Sequence, residues 1–256
     1  MFNRGKRGQA TAFIIAALAI VAIIAVVFFV SGPRGGLLRD DASDPRAFLE
    51  GCIEEEFREN VELIASQGGE LNPEGFIVYK DKKIKYLCYT NEYYKTCVVQ
   101  QPLLKEQFEK ELGRMLSPIA DNCANNLVDA LERSEKSVSK GEVKLDVEFS
   151  PGKAGLNIEA PLTVSDEVSR TYKNFEISYA SEMYDLLAIS ENIVDFEASL
   201  GDSEITAYTQ YYPDLIIRKD KLGDGSTIYN VENVVSKEKF TFASRSLAWP
   251  AGLRGE

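Results

Sequence analysis

The chain has 256 residues, a formal net charge of −11, four cysteines and no histidine. Without histidine, Ser-His-Asp and Cys-His catalysis and histidine metal sites are excluded, and the acidity argues against the basic footprint that nucleic-acid binding requires. The length suffices for one large or two small domains with a real hydrophobic core.

Residues 1–9 contain Arg4, Lys6 and Arg7 and read as a basic cytoplasmic leader. Ala10 to Val30 carries no charge and a single hydroxyl, Thr11. A helix rising about 1.5 Å per residue would take this run across a hydrocarbon core of about 30 Å, which predicts a transmembrane helix over 10–30. The bulky Phe28-Phe29-Val30 ahead of Ser31-Gly32-Pro33 differs from the small-residue site of a cleaved export signal. The leader's three cations leave −14 on the remainder of the chain.

Basic residues favour the cytoplasmic flank of a span, but Arg34, Arg39 and Arg46 nearly balance the leader. Cys52, Cys88, Cys97 and Cys123 help to decide. Their spacings of 36, 9 and 26 residues lack the close pairs of a zinc site, so no metal and no cofactor is expected. An even number of separated cysteines behind a membrane segment fits disulfides in an oxidising exterior. The expected location is the cytoplasmic membrane, single pass, with the amino terminus inside and the carboxy-terminal domain outside.

Residues 31–43 form a linker rich in glycine, charge and turn formers. Asp44-Pro45 reads as an N-cap followed by a first-turn proline. Phe48, Leu49, Cys52, Ile53, Phe57, Val61 and Ile64 then mark one apolar helix face, which stops at Gln67-Gly68-Gly69. Strands are expected over Gly75–Tyr79 and Lys83–Tyr89, followed by a segment from Tyr89 to Cys97 that folds back. Leu103 to Ser134 is helical, with a bend at Ser117-Pro118. Together these make a helix-hairpin-helix subdomain over 44–136 holding all four cysteines. Four cysteines permit three connectivities. The simplest pairs Cys52 with Cys123, tying helix to helix, and Cys88 with Cys97, closing the hairpin.

The polar stretch Ser134–Gly141 suggests a boundary, and an α+β subdomain over 141–248 follows. Val143–Phe149 alternates strictly and pairs with Leu156–Ala160 as a hairpin. Ser181–Leu200 is an amphipathic helix closed by Gly201, and a shorter helix over Ser203–Tyr211 ends at Pro213. Leu215–Ile217, Thr227–Val231 and Lys239–Ala243 read as strands, and 249–256 as a tail. The expected fold class is α+β: one amino-terminal transmembrane helix followed by a disulfide-stabilised, two-part ectodomain.

Chemistry-bearing clusters are sparse. Glu54, Glu55 and Glu56 sit together, and Asp185 and Glu191 share a helix, but none has the apolar and aromatic context that raises a carboxyl pKa for acid catalysis. Asp220, Asp224 and Ser226 give only part of a calcium loop, so Gly223-Asp224-Gly225 reads as a hairpin turn. Gly152–Gly155 has too few glycines for a phosphate loop. Tyr86, Tyr89, Tyr93 and Tyr94 form the densest aromatic cluster and an interaction-surface candidate; packing around a Cys88–Cys97 bridge explains them equally well.

Lys6-Arg7-Gly8-Gln9 before the apolar run resembles the class III signal peptides of archaeal type IV pilins and archaellins. The resemblance implies removal of the leader between Gly8 and Gln9, leaving the apolar helix on the mature subunit. Phe13 stands where many pilins carry glutamate, a departure that bears on filament assembly more than on processing. Beyond that start, the Cys-bearing helix ending in Gln-Gly-Gly, the second helix near Cys123, and Ile228–Val231 ahead of Phe240–Ala243 resemble single-pass surface proteins of small-genome archaea.

The leading expectation is thus a membrane-anchored, extracytoplasmic structural or partner-binding protein without catalytic activity. Its partners would be the lipid bilayer and envelope or pilus-type proteins, with no nucleic acid. The alternative is a pilin-like subunit assembled through its apolar helix, and a third reading is a histidine-free enzyme using carboxylates.

Overall fold

A computed structural model describes residues 44–165 and 169–248. All of them belong to one compact unit. Helix α1 spans Pro45–Ala65, with the Asp44 side chain accepting a hydrogen bond from the Arg46 amide and Pro45 in the first turn. Leu49, Ile53, Phe57, Val61 and Ile64 form its buried stripe. The helix closes where the Gly69 amide returns to the Ile64 carbonyl at 2.8 Å, the wrapped C-cap that positive-φ glycines permit. Gly68, at φ +85°, lies so close to Lys85 that a Cβ on it would stand 2.7 Å from that of Lys85.

Strands β1 (Phe76–Tyr79) and β2 (Lys82–Tyr89) pair antiparallel around a two-residue turn in which Lys80 and Asp81 both have positive φ. That is the primed turn whose twist matches a hairpin. After β3 (Val98–Val99), helix α2 runs unbroken from Leu104 to Arg133 through Pro118, so the expected bend does not interrupt it. The polar stretch after it is a strand rather than a boundary. There, β4 (Ser137–Lys140) pairs with the far end of β6 (Lys153–Ser165), whose near end pairs with β5 (Lys144–Ser150). On the other side of β6 lies β7 (Arg170–Ala180). Helix α3 covers Met183–Leu200 and α4 covers Thr206–Tyr211. Strands β8 (Leu215–Lys221), β9 (Ser226–Asn233) and β10 (Lys239–Arg245) complete the fold.

The larger sheet runs β1-β2-β10-β9-β8, with β10 parallel to β2 and β3 also on β2. Segments 44–136 and 141–248 therefore share a sheet, and they share one core running from Leu49 to Phe242. Phe108 packs edge to face against Phe149 and Phe240 in it, at 5.5 and 6.1 Å, and Phe57 lies tilted against Phe149 at 6.4 Å. The disulfides are Cys52–Cys123, tying α1 to α2 with Cα atoms 6.1 Å apart, and Cys88–Cys97, closing the loop after β2 at 5.4 Å.

The expected fold class and location need correction. Among the described residues no helix is long and apolar enough to cross a membrane. The physical reason is that these helices bury one stripe and leave a charged face outside: α1 alone carries Glu50, Glu54, Glu55, Glu59 and Glu62. What stands is a mixed α+β fold with two disulfides. The single-pass location with the domain outside the cytoplasmic membrane loses its basis. The leader with Gly8 and Gln9, the apolar run Ala10–Val30, the linker 31–43 and the tail 249–256 lie outside the described residues.

Candidate functional site

The two faces of the larger sheet are unlike. Tyr229 and Val231 of β9, with Phe240 and Phe242 of β10, point into the main core. Their alternates point the other way, as the period of a strand requires. On that outer face Ile84, Tyr86, Ile228 and Ala243 form a small second cluster, capped by Ile77 and Tyr79 of β1. The sheet curls until its first and last strands touch: the Tyr79 hydroxyl donates to Asp220 Oδ2 of β8 at 2.6 Å.

Beside that cluster the outer face opens into a cleft of about 920 Å³. Asn230, Thr241 and Arg218 lie side by side across three strands on its floor, with Asn230 Nδ2 donating to Thr241 Oγ1 at 2.8 Å. One wall is the β1–β2 turn, bearing Tyr79, Lys80 and Lys82; another is the last half of α1, bearing Arg58, Glu62 and Ser66. The third comprises Tyr179, Met183 and the Ser236–Lys239 segment.

Six cations border this cleft: Arg58, Lys80, Lys82, Arg218, Lys237 and Lys239. Three carboxylates line it, Glu62, Asp220 and Glu238, and two of these are already engaged. Asp220 accepts from Tyr79, and Glu238 accepts from the Ser181 hydroxyl at 2.6 Å and the Glu182 amide at 2.5 Å. Arg218 and Lys239 share Glu232, at 2.7 and 3.8 Å. The Arg218 hydrogen bond holds the Glu232 carboxyl below the usual carboxylate range, and Lys239 adds to that effect. Arg58 pairs with Glu54 at 2.7 Å and lies 3.8 Å over the Tyr179 ring. Burial pushes the Tyr179 hydroxyl well above its ordinary pKa, with Glu238 adding to the shift, so it remains a donor. Lys80, Lys82 and Lys237 make no ion pair among the described residues. On a chain of net charge −11, that is a local reversal of sign.

Comparison with known protein families, curated proteins and solved structures gives no match.

The fold disperses the clusters that stand out in the sequence. Tyr86 is 8 % exposed and bonds Ser226 Oγ at 2.8 Å, with Tyr89 packed edge-on to it at 5.0 Å. Tyr93 and Tyr94 stand out in solvent at 68 % and 73 % exposure, so the four tyrosines do not form one surface. Glu54, Glu55 and Glu56 sit on α1, where Glu54 pairs with Arg58. Asp224 folds back on its own turn, accepting from the Ser226 amide and hydroxyl, each at 2.9 Å. Among the described residues no three His, Cys, Asp or Glu side chains gather as metal ligands would.

One buried polar constellation lies on the inner face. Glu197 of α3, 2 % exposed, accepts from the Tyr229 hydroxyl, from Ser244 Oγ at 3.1 Å and from the Ser203 amide at 3.0 Å. Both carboxylate oxygens are satisfied, so its work is to join α3 to β9 and β10.

Proposed function

We propose that this protein is a non-catalytic binding domain of a non-reducing compartment, and that the cationic cleft on the outer face of its larger sheet receives an anionic partner. The observation that carries this is the convergence of Lys80, Lys82 and Lys237, each without an acidic partner among the described residues, on one concave surface of an acidic molecule. Like charges gathered in a folded protein repel one another, and a bound anion relieves that repulsion. The two disulfides support the compartment, since such bonds persist where thiols are not kept reduced. Asp220 and Glu238 already accept hydrogen bonds from Tyr79, Ser181 and the Glu182 amide, which leaves the lysines as the charged groups of the cleft that a ligand would meet.

The test is calorimetric titration of the full chain with three anionic polymers, polyglutamate, polygalacturonate and dextran sulfate, at low and at physiological salt. At least one is expected to bind, weaker at the higher salt, and about tenfold weaker still to Lys82→Glu/Lys237→Glu. Failure of all three to bind, or identical affinity in the double variant, overturns the reading.

A further inference from the structure

Resting on that reading, we infer that the occupant of the cleft is an acidic saccharide chain, its carboxylate or sulfate groups met by the rim lysines and its hydroxyls by the polar floor. Three features of the cleft select this class.

The first is the way the charge is presented. A compact phosphate is held by bidentate arginines or by the amides of a helix N-terminus. Here Arg58 and Arg218 are occupied by Glu54 and Glu232. The nearest helix N-terminus, that of α3, is occupied by Glu238, which takes the Glu182 amide and the Ser181 hydroxyl. The end of α1 beside the cleft is its carboxy-terminal half, whose dipole disfavours an anion. The remaining cations are lysines, flexible point charges standing on separate walls, on the β1–β2 turn and on the segment before β10. They suit an extended ligand carrying one charge here and another further along.

The second is the floor. Asn230 and Thr241 carry an amide and a hydroxyl there, Asn230 donating to Thr241, and on the wall above them the Tyr179 hydroxyl has no hydrogen-bond partner among the described residues. Groups that both donate and accept match the hydroxyls of a sugar, which do the same. A carboxylate-bearing peptide side chain only accepts.

The third is what the floor lacks for a peptide. Strand addition requires an open sheet edge, whereas the middle of this floor is the face of β9, paired on both sides by β10 and β8, and the edge strands β1 and β8 are tied to each other where Tyr79 bonds Asp220. A docked helix requires a continuous apolar stripe, and the floor breaks its apolar residues, Ile84 and Ile228, with Asn230, Thr241 and Arg218. At about 920 Å³ the cleft is wide enough for several sugar units in an open groove.

The test compares three probes on the full chain by calorimetry: tetragalacturonate, a sulfated maltotetraose, and tetraglutamate. Either saccharide is expected to bind at least tenfold tighter than tetraglutamate, and which of the two leads identifies carboxylate or sulfate as the recognised group. Asn230→Ala is expected to weaken saccharide binding at least fivefold and to leave tetraglutamate binding unchanged, with thermal melting used to confirm that the variant is folded. Thr241→Ser, which keeps the hydroxyl, is expected to keep saccharide affinity. If tetraglutamate binds as tightly as either saccharide and Lys82→Glu/Lys237→Glu abolishes it, the saccharide assignment falls while the anionic cleft stands. If no probe binds, both fall.

Discussion

The two faces of strand β9 make opposite use of the same backbone. Its inward residues, Tyr229 and Val231, are fully buried, and the one carboxylate they meet, Glu197, has three donors aimed at it. Its outward residues Ile228 and Asn230 sit beneath a cleft where cations outnumber carboxylates. A protein interior tolerates a charge only when its hydrogen bonds are complete, whereas a surface can leave charge uncompensated for a ligand to meet. The contrast teaches that polarity on this sheet is structural where it is saturated and functional where it is not.

Breaking the inner face has the largest expected effect. Glu197→Ala leaves the Tyr229 hydroxyl, Ser244 Oγ and the Ser203 amide without an acceptor in a closed core, and is expected to cost about 4 kcal/mol of stability in urea unfolding. Loss of the longer disulfide is expected to weigh about as much, and loss of the shorter one less. Removing Cys52–Cys123, whose partners are 71 residues apart, is expected to cost about 4 kcal/mol, and removing Cys88–Cys97, nine apart, somewhat under 3 kcal/mol. A ranking reversed between the two bridges would show that the short one acts through its contact with the Glu197 network, where Cys97 Sγ lies 3.7 Å from Ser244 Oγ. The outer face is expected to behave differently. Lys82→Ala and Lys237→Ala each change stability by less than about 0.5 kcal/mol while weakening anion binding.

The smallest effects separate the faces by pH. The folded pKa of Glu232 is depressed, by the Arg218 hydrogen bond first. Its contribution is therefore present above the unfolded value of about 4.3 and is lost as pH falls through the lower folded one. Glu232→Gln should flatten that acid limb of unfolding free energy against pH. The folded pKa of Tyr229 is raised, by burial first and then by Glu197. Its contribution is full below the unfolded value of about 10 and is lost as pH rises beyond it. Tyr229→Phe should flatten that alkaline limb and leave the acid limb alone.

Much of the fold was legible in the chain. Asp44-Pro45 and Gln67-Gly68-Gly69 bracket α1 because capping is local chemistry, whereas the four cysteines allowed three connectivities, of which the structure forms the simplest, Cys52–Cys123 and Cys88–Cys97. Strand β7 was not legible. A shift of register between Glu159 and Leu162 of β6 breaks the alternation of Tyr172, Phe175 and Ile177, so the period of two disappears from the sequence. Pro118 sits inside α2 without interrupting it, in a helix that buries Leu112, Leu116 and Ala120. The transmembrane reading concerned residues that the described structure does not include, and the helices it does include are amphipathic. The cleft left no local motif at all. Its cations lie at positions 58, 80, 82, 218, 237 and 239, and only the parallel pairing of β10 with β2 and the curl that brings Tyr79 to Asp220 gather them. Of the tyrosines near one another in sequence, by contrast, Tyr86 and Tyr89 pack together while Tyr93 and the positive-φ Tyr94 stand out in solvent.

The central claim, that the outer face of the larger sheet is the binding surface, is tested most directly by mapping backbone amide shifts of the isotope-labelled full chain during titration with tetragalacturonate. Saturable shifts are expected at Asn230, Thr241, Lys82 and Lys237, with Tyr229 and Val231 on the opposite face unmoved. Shifts centred on Tyr93 and Tyr94, or no saturable shift anywhere, would contradict it.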